Sequence, residues 1–235
     1  NLGVESIHFS SSFLMIWCRH SQGTGRDRYH HGNLREALVE AVLDLIAERG
    51  PSGFTFAEVA RLIGVSPAAP YRHFRDRGAL LAEVARRGFR QFEVALMEAW
   101  NDGRPEPLRA LVSCGRAYLA FAREQPAYYA AMFEAGPASE ADADLAQAGE
   151  RALALLRKAA EVLCAGQPEN QRPPPRMVAL HIWSLSHGIA SLFLNGGEGS
   201  RQPLPMSPED LLEAGILVYL RGLGLGGGDA IPPDR

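Results

Sequence analysis

The chain of 235 residues is 46% hydrophobic and 22% charged, a globular composition with enough apolar material to bury a sizeable core. Its three cysteines, Cys18, Cys114 and Cys164, are too few and too widely spaced for a disulfide framework or a zinc site, which suits a reducing cytoplasm. Its formal net charge of −3 argues against a nucleic-acid binder only if charge is spread evenly along the chain.

The charge is divided unevenly between two parts of the chain. Arg26 to Arg90 contains eleven arginines and eight acidic residues, whereas Gln91 to Arg235 contains twelve basic and eighteen acidic residues. The first part therefore carries +3 and the second −6. This polarity fits a small DNA-binding head on an acidic body, with an ordinary solvated surface as the alternative.

Helical periodicity dominates the sequence. Ala, Leu, Arg and Glu recur at three- and four-residue spacing almost throughout, and no window alternates apolar and polar residues cleanly. We predict an all-α protein with a three-helix head at residues 26–75 and a larger helical body at 76–224.

Residues 1–25 are predicted to be a disordered extension. The apolar run at 13–18 is too short to span a bilayer, and no small-residue cleavage site follows it cleanly. A secretory signal is the alternative. The sequence contains no cationic amphipathic helix, so it does not predict binding to a membrane surface.

The first head helix is predicted from an N-cap at Asn33 to about Arg49, where Gly50 and Pro51 stop it. Its apolar residues lie on one face. It is expected to support the next two helices.

A helix-turn-helix is predicted next. Thr55 and Glu58 form a capping box for a short helix, which Gly64 ends in the left-handed conformation. Ser66 and Pro67 then supply an N-cap and a first helical residue for a second short helix. The alternative is a helical hairpin with a purely structural role.

This stretch resembles the DNA-binding segment of TetR-family transcriptional regulators. The matching elements are Ile63-Gly64-Val65-Ser66, Tyr71-Arg72-His73-Phe74, and Arg77 ahead of Ala79-Leu80-Leu81. With the preceding helix, the resemblance covers roughly residues 29–92.

The resemblance implies a set of DNA contacts. Base contacts fall at Pro67, Ala68 and Ala69, followed by Tyr71 and Arg72, and phosphate contacts at Thr55, Tyr71, His73 and Arg77, with Ser66 at the helix start. Alanine and proline offer only apolar contact, so hydrogen-bond readout depends on Arg72, and DNA shape is expected to contribute.

Two further features bear on docking. Pro70 departs from the family's usual aliphatic residue and should distort the first turn of the second helix. The basic lead from Arg26 to His31 is either a solvated terminus or, as the resemblance implies, an arm along the phosphates or in the minor groove.

A long helix is predicted from an N-cap at Asp76 to about Trp100, connecting head and body. Gly88 lies inside it, where glycine is unfavourable, and marks either close packing or a flex point.

The body is predicted to continue with helices at Leu108–Glu124, around Tyr128 to Phe133, at Ser139–Cys164 and at Arg176–Asn195. Its aromatic and methionine side chains are either core or the lining of a small-molecule pocket. The expected pocket residues are Tyr118, Phe121, Tyr128, Tyr129, Met132, Phe133, Trp183 and His187.

These body motifs resemble the C-terminal domain of the WHG branch of TetR regulators, through Trp183, His187, Gly188 and the aromatic run from Tyr118 to Phe133. We interpret His187 as a hydrogen-bonded core histidine in preference to a ligand contact or a catalytic base.

The last helix starts at Ser207-Pro208 and is apolar on more than one face. Together with the His187 helix it would supply half of a four-helix dimer interface, which the resemblance also implies. Residues 225–235 are predicted to be a flexible tail, and the formal G-x-G-x-x-G at 222–227 is discarded because it follows a helix and opens none.

The function that these patterns predict is a cytoplasmic, homodimeric DNA-binding regulator. We expect a repressor that a small apolar or aromatic effector releases from a palindromic site on double-stranded DNA. The alternative is a small-molecule-binding helical protein without DNA binding. No HExxH, P-loop, nucleophile elbow or spaced carboxylate pair is present, so no catalytic residue, metal ligand or cofactor is predicted.

Overall fold

A computed structural model describes residues 34–134, 143–193 and 206–225, which form eight α-helices and contain no strand. The helices are α1 (Leu34–Arg49), α2 (Phe56–Leu62), α3 (Arg77–Trp100), α4 (Pro107–Glu124), α5 (Pro126–Phe133), α6 (Ala143–Ala165), α7 (Pro175–Phe193) and α8 (Pro208–Gly222). The predicted all-α class is confirmed. None of these helices is both long and apolar enough to span a bilayer.

Several predictions fall outside the described residues. They concern the extension at 1–25, the basic lead from Arg26 to His31, the N-cap at Asn33, the helix start at Ser139 and the tail beyond residue 225. Within the described chain, Cys114 and Cys164 are free and buried.

Local capping fixes the helix that precedes the turn. The Thr55 hydroxyl accepts the backbone N–H of Glu58, and the Glu58 carboxylate accepts the backbone N–H of Thr55, as a capping box requires. At the other end Gly64 has φ +72, and the N–H of Val65 donates to the carbonyl of Ala60. This is a Schellman motif, and it confirms the predicted end of α2.

The second short helix differs from the prediction. An α-helix starting at Ser66 needs the N–H of residue 70 for the Ser66 carbonyl, and Pro70 has none. The Ser66 carbonyl instead accepts the N–H of Ala69 at 2.9 Å, and residues Pro70–Arg72 form a 3₁₀ turn. The predicted recognition α-helix is therefore wrong in type, because proline at its fourth position selects the tighter winding.

Helix α3 connects the parts of the fold. Asp76 caps it by accepting the N–H of Ala79 at 2.8 Å, as predicted, and it packs against α1, α4, α5 and α6. A Cβ at Gly88 would lie 2.7 Å from Sδ of Met132 and 3.2 Å from Cβ of Tyr128. Gly88 therefore marks close packing of α5 on α3, the first of the two predicted explanations.

A buried carboxylate joins α1 to α3. Glu83 on α3 is only 8% exposed, and its oxygens lie 2.9 Å from Arg86, 2.8 Å from Arg87 and 3.1 Å from Arg35 on α1. Arg87 also binds Glu36 on α1 at 2.6 Å. Burial disfavours the charged carboxylate, but the hydrogen bonds from Arg87 and Arg86 outweigh it and hold the pKa of Glu83 at about 2.

In the body, glycines allow close helix contacts. A Cβ at Gly115 of α4 would lie 3.0 Å from Leu212 and 3.1 Å from Ile216 of α8. A Cβ at Gly215 of α8 would lie 2.7 Å from Leu185 of α7. These approaches hold α8 against both α4 and α7.

We predict that Glu83→Gln lowers the free energy of unfolding at pH 7 by about 1–3 kcal/mol, because the amide leaves partly buried guanidinium groups incompletely paired. The matched control is Glu93→Gln on the same helix. Glu93 pairs with Arg151 at a more exposed position, so its replacement should lower the free energy of unfolding by less than about 0.5 kcal/mol. Urea unfolding of both variants measures the difference, and equal effects would contradict the prediction.

The same carboxylate predicts the direction of acid sensitivity. Because the folded-state pKa of Glu83, about 2, lies below its ordinary 4.5, its stabilising contribution is present above pH about 4.5 and is lost as pH falls towards 2. Unfolding titrations between those pH values should therefore show a shallower loss of stability in Glu83→Gln than in the unmodified chain. Parallel curves would exclude this role.

Candidate nucleic-acid interface and aromatic site of the body

The segment between α2 and α3 presents most of the predicted DNA contacts to solvent. The exposed residues are Thr55, Ser66, Pro67, Ala68, Tyr71, Arg72 and His73, whereas Ala69 is half-buried. The ring of Tyr71 is 61% exposed and packs edge-on against buried Phe56, with 4.9 Å between centroids. This contact orients Tyr71 outward from the first residue of α2.

Arg77 occupies a different environment from the one predicted. Its guanidinium lies over the ring of Phe54, 4.7 Å from the centroid, and donates to the carbonyl of Pro51, while its Nε is buried without a partner. These contacts anchor the loop between α1 and α2. The geometry favours a structural role for Arg77 over the predicted phosphate contact.

Arg35 is a residue that sequence reasoning missed. Its guanidinium lies 4.5 Å from the ring centroid of buried Phe74 and donates to the carbonyl of His73 at 3.4 Å, in addition to pairing with Glu83. It thus ties the exposed segment to the ion cluster on α3. No local pattern reveals this, because the partners lie 38 to 48 positions further along the chain.

In the body, two tyrosines converge on one histidine. The hydroxyls of Tyr118 on α4 and Tyr129 on α5 lie 3.0 and 2.9 Å from Nδ1 of His187 on α7. Burial raises the pKa of both phenols and lowers the pKa of the imidazole, so all three groups are neutral near pH 7. The predicted hydrogen-bonded state of His187 is confirmed.

Other predicted pocket residues divide into two groups. The ring centroid of Phe133 lies 5.0 Å from that of His187, and Trp183 packs on the same Phe133 ring at 6.4 Å between centroids. Tyr128 and Met132 pack on Gly88 of α3. Phe121 is buried against Phe92 of α3, with 5.2 Å between the ring centroids.

A groove of about 490 Å³ between α4 and α8 was not predicted. It is lined by Glu106, Leu108, Arg109, Val112, Ser113, Arg116, Glu213 and Leu217. Arg116 bridges to Glu213 across it, and Arg109 pairs with Glu106 at 3.0 Å. Within the described chain, no group of three or more His, Cys, Asp or Glu side chains is placed to hold a metal ion.

Comparison with known families matches both parts of the chain. Residues 38–84 match the model described as bacterial regulatory proteins of the tetR family. Residues 111–219 match the model described as the tetracyclin repressor-like C-terminal domain. The first match covers α1, α2 and the exposed segment, and the second covers the body from α4 to α8.

Individual proteins agree with these matches. The HTH-type transcriptional regulator BetI of Rhizobium meliloti (strain 1021) is 34% identical over 109 residues, which are 45% of this chain and 53% of that protein. The chain spans about half the length of the curated relatives it matches.

Two solved structures share the fold. A protein of unknown function from Rhodococcus sp. RHA1 is 28% identical, with a TM-score of 0.67 over 83% of this chain and 98% of that one. AibR, in complex with isovaleryl coenzyme A and operator DNA, is 19% identical, with a TM-score of 0.58 over 78% of this chain and 96% of that one. At that identity the likeness to AibR shows the fold alone.

We predict that Arg77→Ala lowers the free energy of unfolding by about 1–3 kcal/mol, because it removes a partly buried cation–π contact and a charged hydrogen bond. Arg75→Ala is the matched control, since Arg75 is 88% exposed in side-chain area and pairs with neighbouring Asp76. Its effect should stay within about 0.5 kcal/mol. If thermal and urea unfolding find Arg77→Ala as mild as the control, the structural role is wrong.

Proposed function

Because the chain belongs to the TetR family of bacterial regulatory proteins, we propose that it is a cytoplasmic homodimeric repressor that an effector releases from a near-palindromic operator. The chain is a DNA-binding transcriptional regulator by family, and the repressor role, the dimer and the effector are the proposed parts. In this proposal residues 26–75 read DNA and residues 76–224 dimerise and bind the effector.

The observation that carries the proposal is the exposed segment from Ser66 to His73. Gly64 turns the chain out of α2, and buried Phe74 returns it to the core. Between them lies a run of outward-facing side chains with no core-forming residue except Pro70. A segment so exposed and so firmly fixed at both ends is suited to entering a groove.

The chemistry of this segment favours mixed readout. Pro67 and Ala68 supply apolar contact, for which a thymine methyl is the natural partner, and Arg72 is the one residue able to bind a guanine through two hydrogen bonds. Thr55, Tyr71 and His73 offer hydroxyl and imidazole groups to phosphates. DNA shape supplies the remaining discrimination, because few base edges are read directly.

The proposed dimer uses the outer faces of α7 and α8. Leu180 on α7 is 42% exposed and Val218 on α8 is 71% exposed, so apolar side chains face outward on both helices. A Cβ at Gly188 of α7 would meet nothing within 4 Å, which leaves room for a partner helix. Two such helices from each copy make a four-helix interface.

The proposed effector site is the aromatic site around His187. Tyr118, Tyr129, Phe133 and Trp183 surround the imidazole with apolar rings and two hydroxyls, the mixture that small-molecule sites use. AibR, which has this fold, binds an acyl coenzyme A and operator DNA in one structure, so the architecture accommodates both ligands. Effector binding then lowers DNA affinity by about 1–3 kcal/mol.

We predict that Arg72→Ala weakens binding to the DNA upstream of the protein's own gene by about 1–3 kcal/mol and relaxes discrimination at one base pair of each half-site. Arg90→Ala is the matched control, because it removes an equally exposed arginine from α3 outside the segment. Mobility shifts with mutated half-sites measure both effects.

Two results would decide against parts of this proposal. Equal loss in both arginine variants would place Arg72 outside the base contacts. No shift by the unmodified protein at low salt would favour the alternative, a small-molecule-binding protein without DNA binding. Unfolding curves should be unchanged in both variants, since both side chains are exposed.

We predict that Val218→Glu converts the dimer to a monomer, because it buries a charge without a partner in the proposed interface. Val94→Glu is the matched control, since Val94 is 54% exposed on α3 and lies outside α7 and α8. Light scattering during size exclusion should give half the mass for the first variant only. A dimer that survives Val218→Glu would move the interface elsewhere.

A further inference from the structure

The hydrogen bonds around His187 fix where its proton lies. Tyr118 and Tyr129 are 2% and 1% exposed, so their hydroxyl protons need acceptors inside the protein. Both hydroxyls lie within 3.0 Å of the same ring nitrogen, Nδ1. The remaining acceptor, Oγ of Ser191, lies 3.5 Å from the Tyr129 hydroxyl, which is long for a hydrogen bond.

Counting protons distinguishes the two tautomers of a neutral imidazole. If Nδ1 carried the proton, Tyr129 could still donate to the distant Ser191, but the Tyr118 hydroxyl would have no acceptor among the residues that the structure describes. If Nδ1 is the acceptor, Tyr118 donates to Nδ1, and Tyr129 donates to Nδ1 or to Ser191. Both buried hydroxyls then have an acceptor, and the imidazole proton sits on Nε2.

This tautomer leaves a donor for something else. Among the residues that the structure describes, none is within hydrogen-bonding distance of Nε2. His187 is half-buried. The ring centroid of Phe133 lies 5.0 Å from that of the imidazole and 6.4 Å from that of Trp183. An N–H held in aromatic surroundings, with no partner among the described residues, is suited to binding a ligand's acceptor atom.

We propose that the Nε2–H of His187 selects the effector, and that the effector is an apolar molecule carrying an acceptor oxygen, either a carbonyl or a carboxylate. The inference rests on the proposed function in that it takes the aromatic site as the effector site. Tyr118 and Tyr129 are positioning residues, since they act on the ligand only by holding the imidazole tautomer. A hydrocarbon of the same shape would leave the N–H unpaired and bind about ten- to a hundred-fold more weakly.

The first test measures the tautomer in the full-length protein without any ligand. Long-range ¹H–¹⁵N correlation spectra at pH 7 distinguish the two nitrogens of each histidine, and His187→Gln identifies the His187 signals. We expect a neutral ring with its proton on Nε2, and a mixture of tautomers in the double variant Tyr118→Phe/Tyr129→Phe. A proton on Nδ1, or a charged ring, overturns the proposal.

The second test uses three probes of closely similar shape: 3-phenylpropanoate, 4-phenylbutan-2-one and butylbenzene. Calorimetric titration of the unmodified chain should show at least one oxygen-bearing probe binding about ten-fold or more tightly than butylbenzene. Preference for the acid identifies a carboxylate effector, and preference for the ketone identifies a neutral carbonyl. Equal affinity for all three probes, or binding of none, overturns the proposal.

Two variants assign the preference to His187. His187→Phe should bind the three probes equally, whereas His181→Phe, which changes an exposed histidine on the same helix, should retain the unmodified preference. His187→Gln should recover part of it, because the amide keeps a donor. A preference that persists in a folded His187→Phe protein would exclude the histidine as its source.

Operator binding separates this inference from the proposed function. In the absence of probe, His187→Phe should shift operator DNA as the unmodified chain does. A protein that shows the probe preference but binds no DNA would refute the repressor and leave the inference standing. A protein that binds DNA but shows no probe preference would refute the inference on His187 and leave the proposed DNA binding standing.

Discussion

The buried carboxylate of Glu83 is the interaction on which the head depends. It binds Arg35 of α1 at 3.1 Å and Arg87 of its own helix at 2.8 Å. Arg35 also covers Phe74 and holds the carbonyl of His73, at the end of the exposed segment. The position of that segment is therefore set relative to α3, because removing the carboxylate would take one partner away from each of Arg35, Arg86 and Arg87.

One and a half turns further along α3, Gly88 sets the position of α5. The missing side chain lets Met132 and Tyr128 approach closely, and α5 also contacts α1 of the head. The same short helix carries Tyr129, which binds His187. A ligand that moves α5 at the aromatic site therefore acts on α3 and α1 through direct packing. Close-packed contacts of this kind switch between discrete arrangements instead of deforming smoothly.

Local signals in the sequence predicted most of the fold. The capping box at Thr55 and the turn at Gly64 depend on neighbours within five residues, and both were found where predicted. Pro70 was expected to distort its helix, but the sequence did not reveal that a 3₁₀ turn would replace it. The partners of Arg35 and Arg77 were missed because they are brought together only by tertiary packing, which no single-sequence periodicity encodes.

Tertiary packing also determines which arginines of the head are available to bind DNA. Two arginines of the described part of the head, Arg35 and Arg49, pair with acidic side chains, and Arg77, just beyond the head on α3, is held by Phe54 and Pro51. Arg61 and Arg72 are exposed, and neither has an acidic partner among the residues that the structure describes. With exposed Arg75 added, about three exposed cations in the described part of each head would release about three counterions on phosphate binding, a modest share of a strongly salt-dependent affinity. In the proposed complex, discrimination then rests on Arg72 and on apolar contacts from Pro67 and Ala68, while Thr55 and Tyr71 position the head through phosphates.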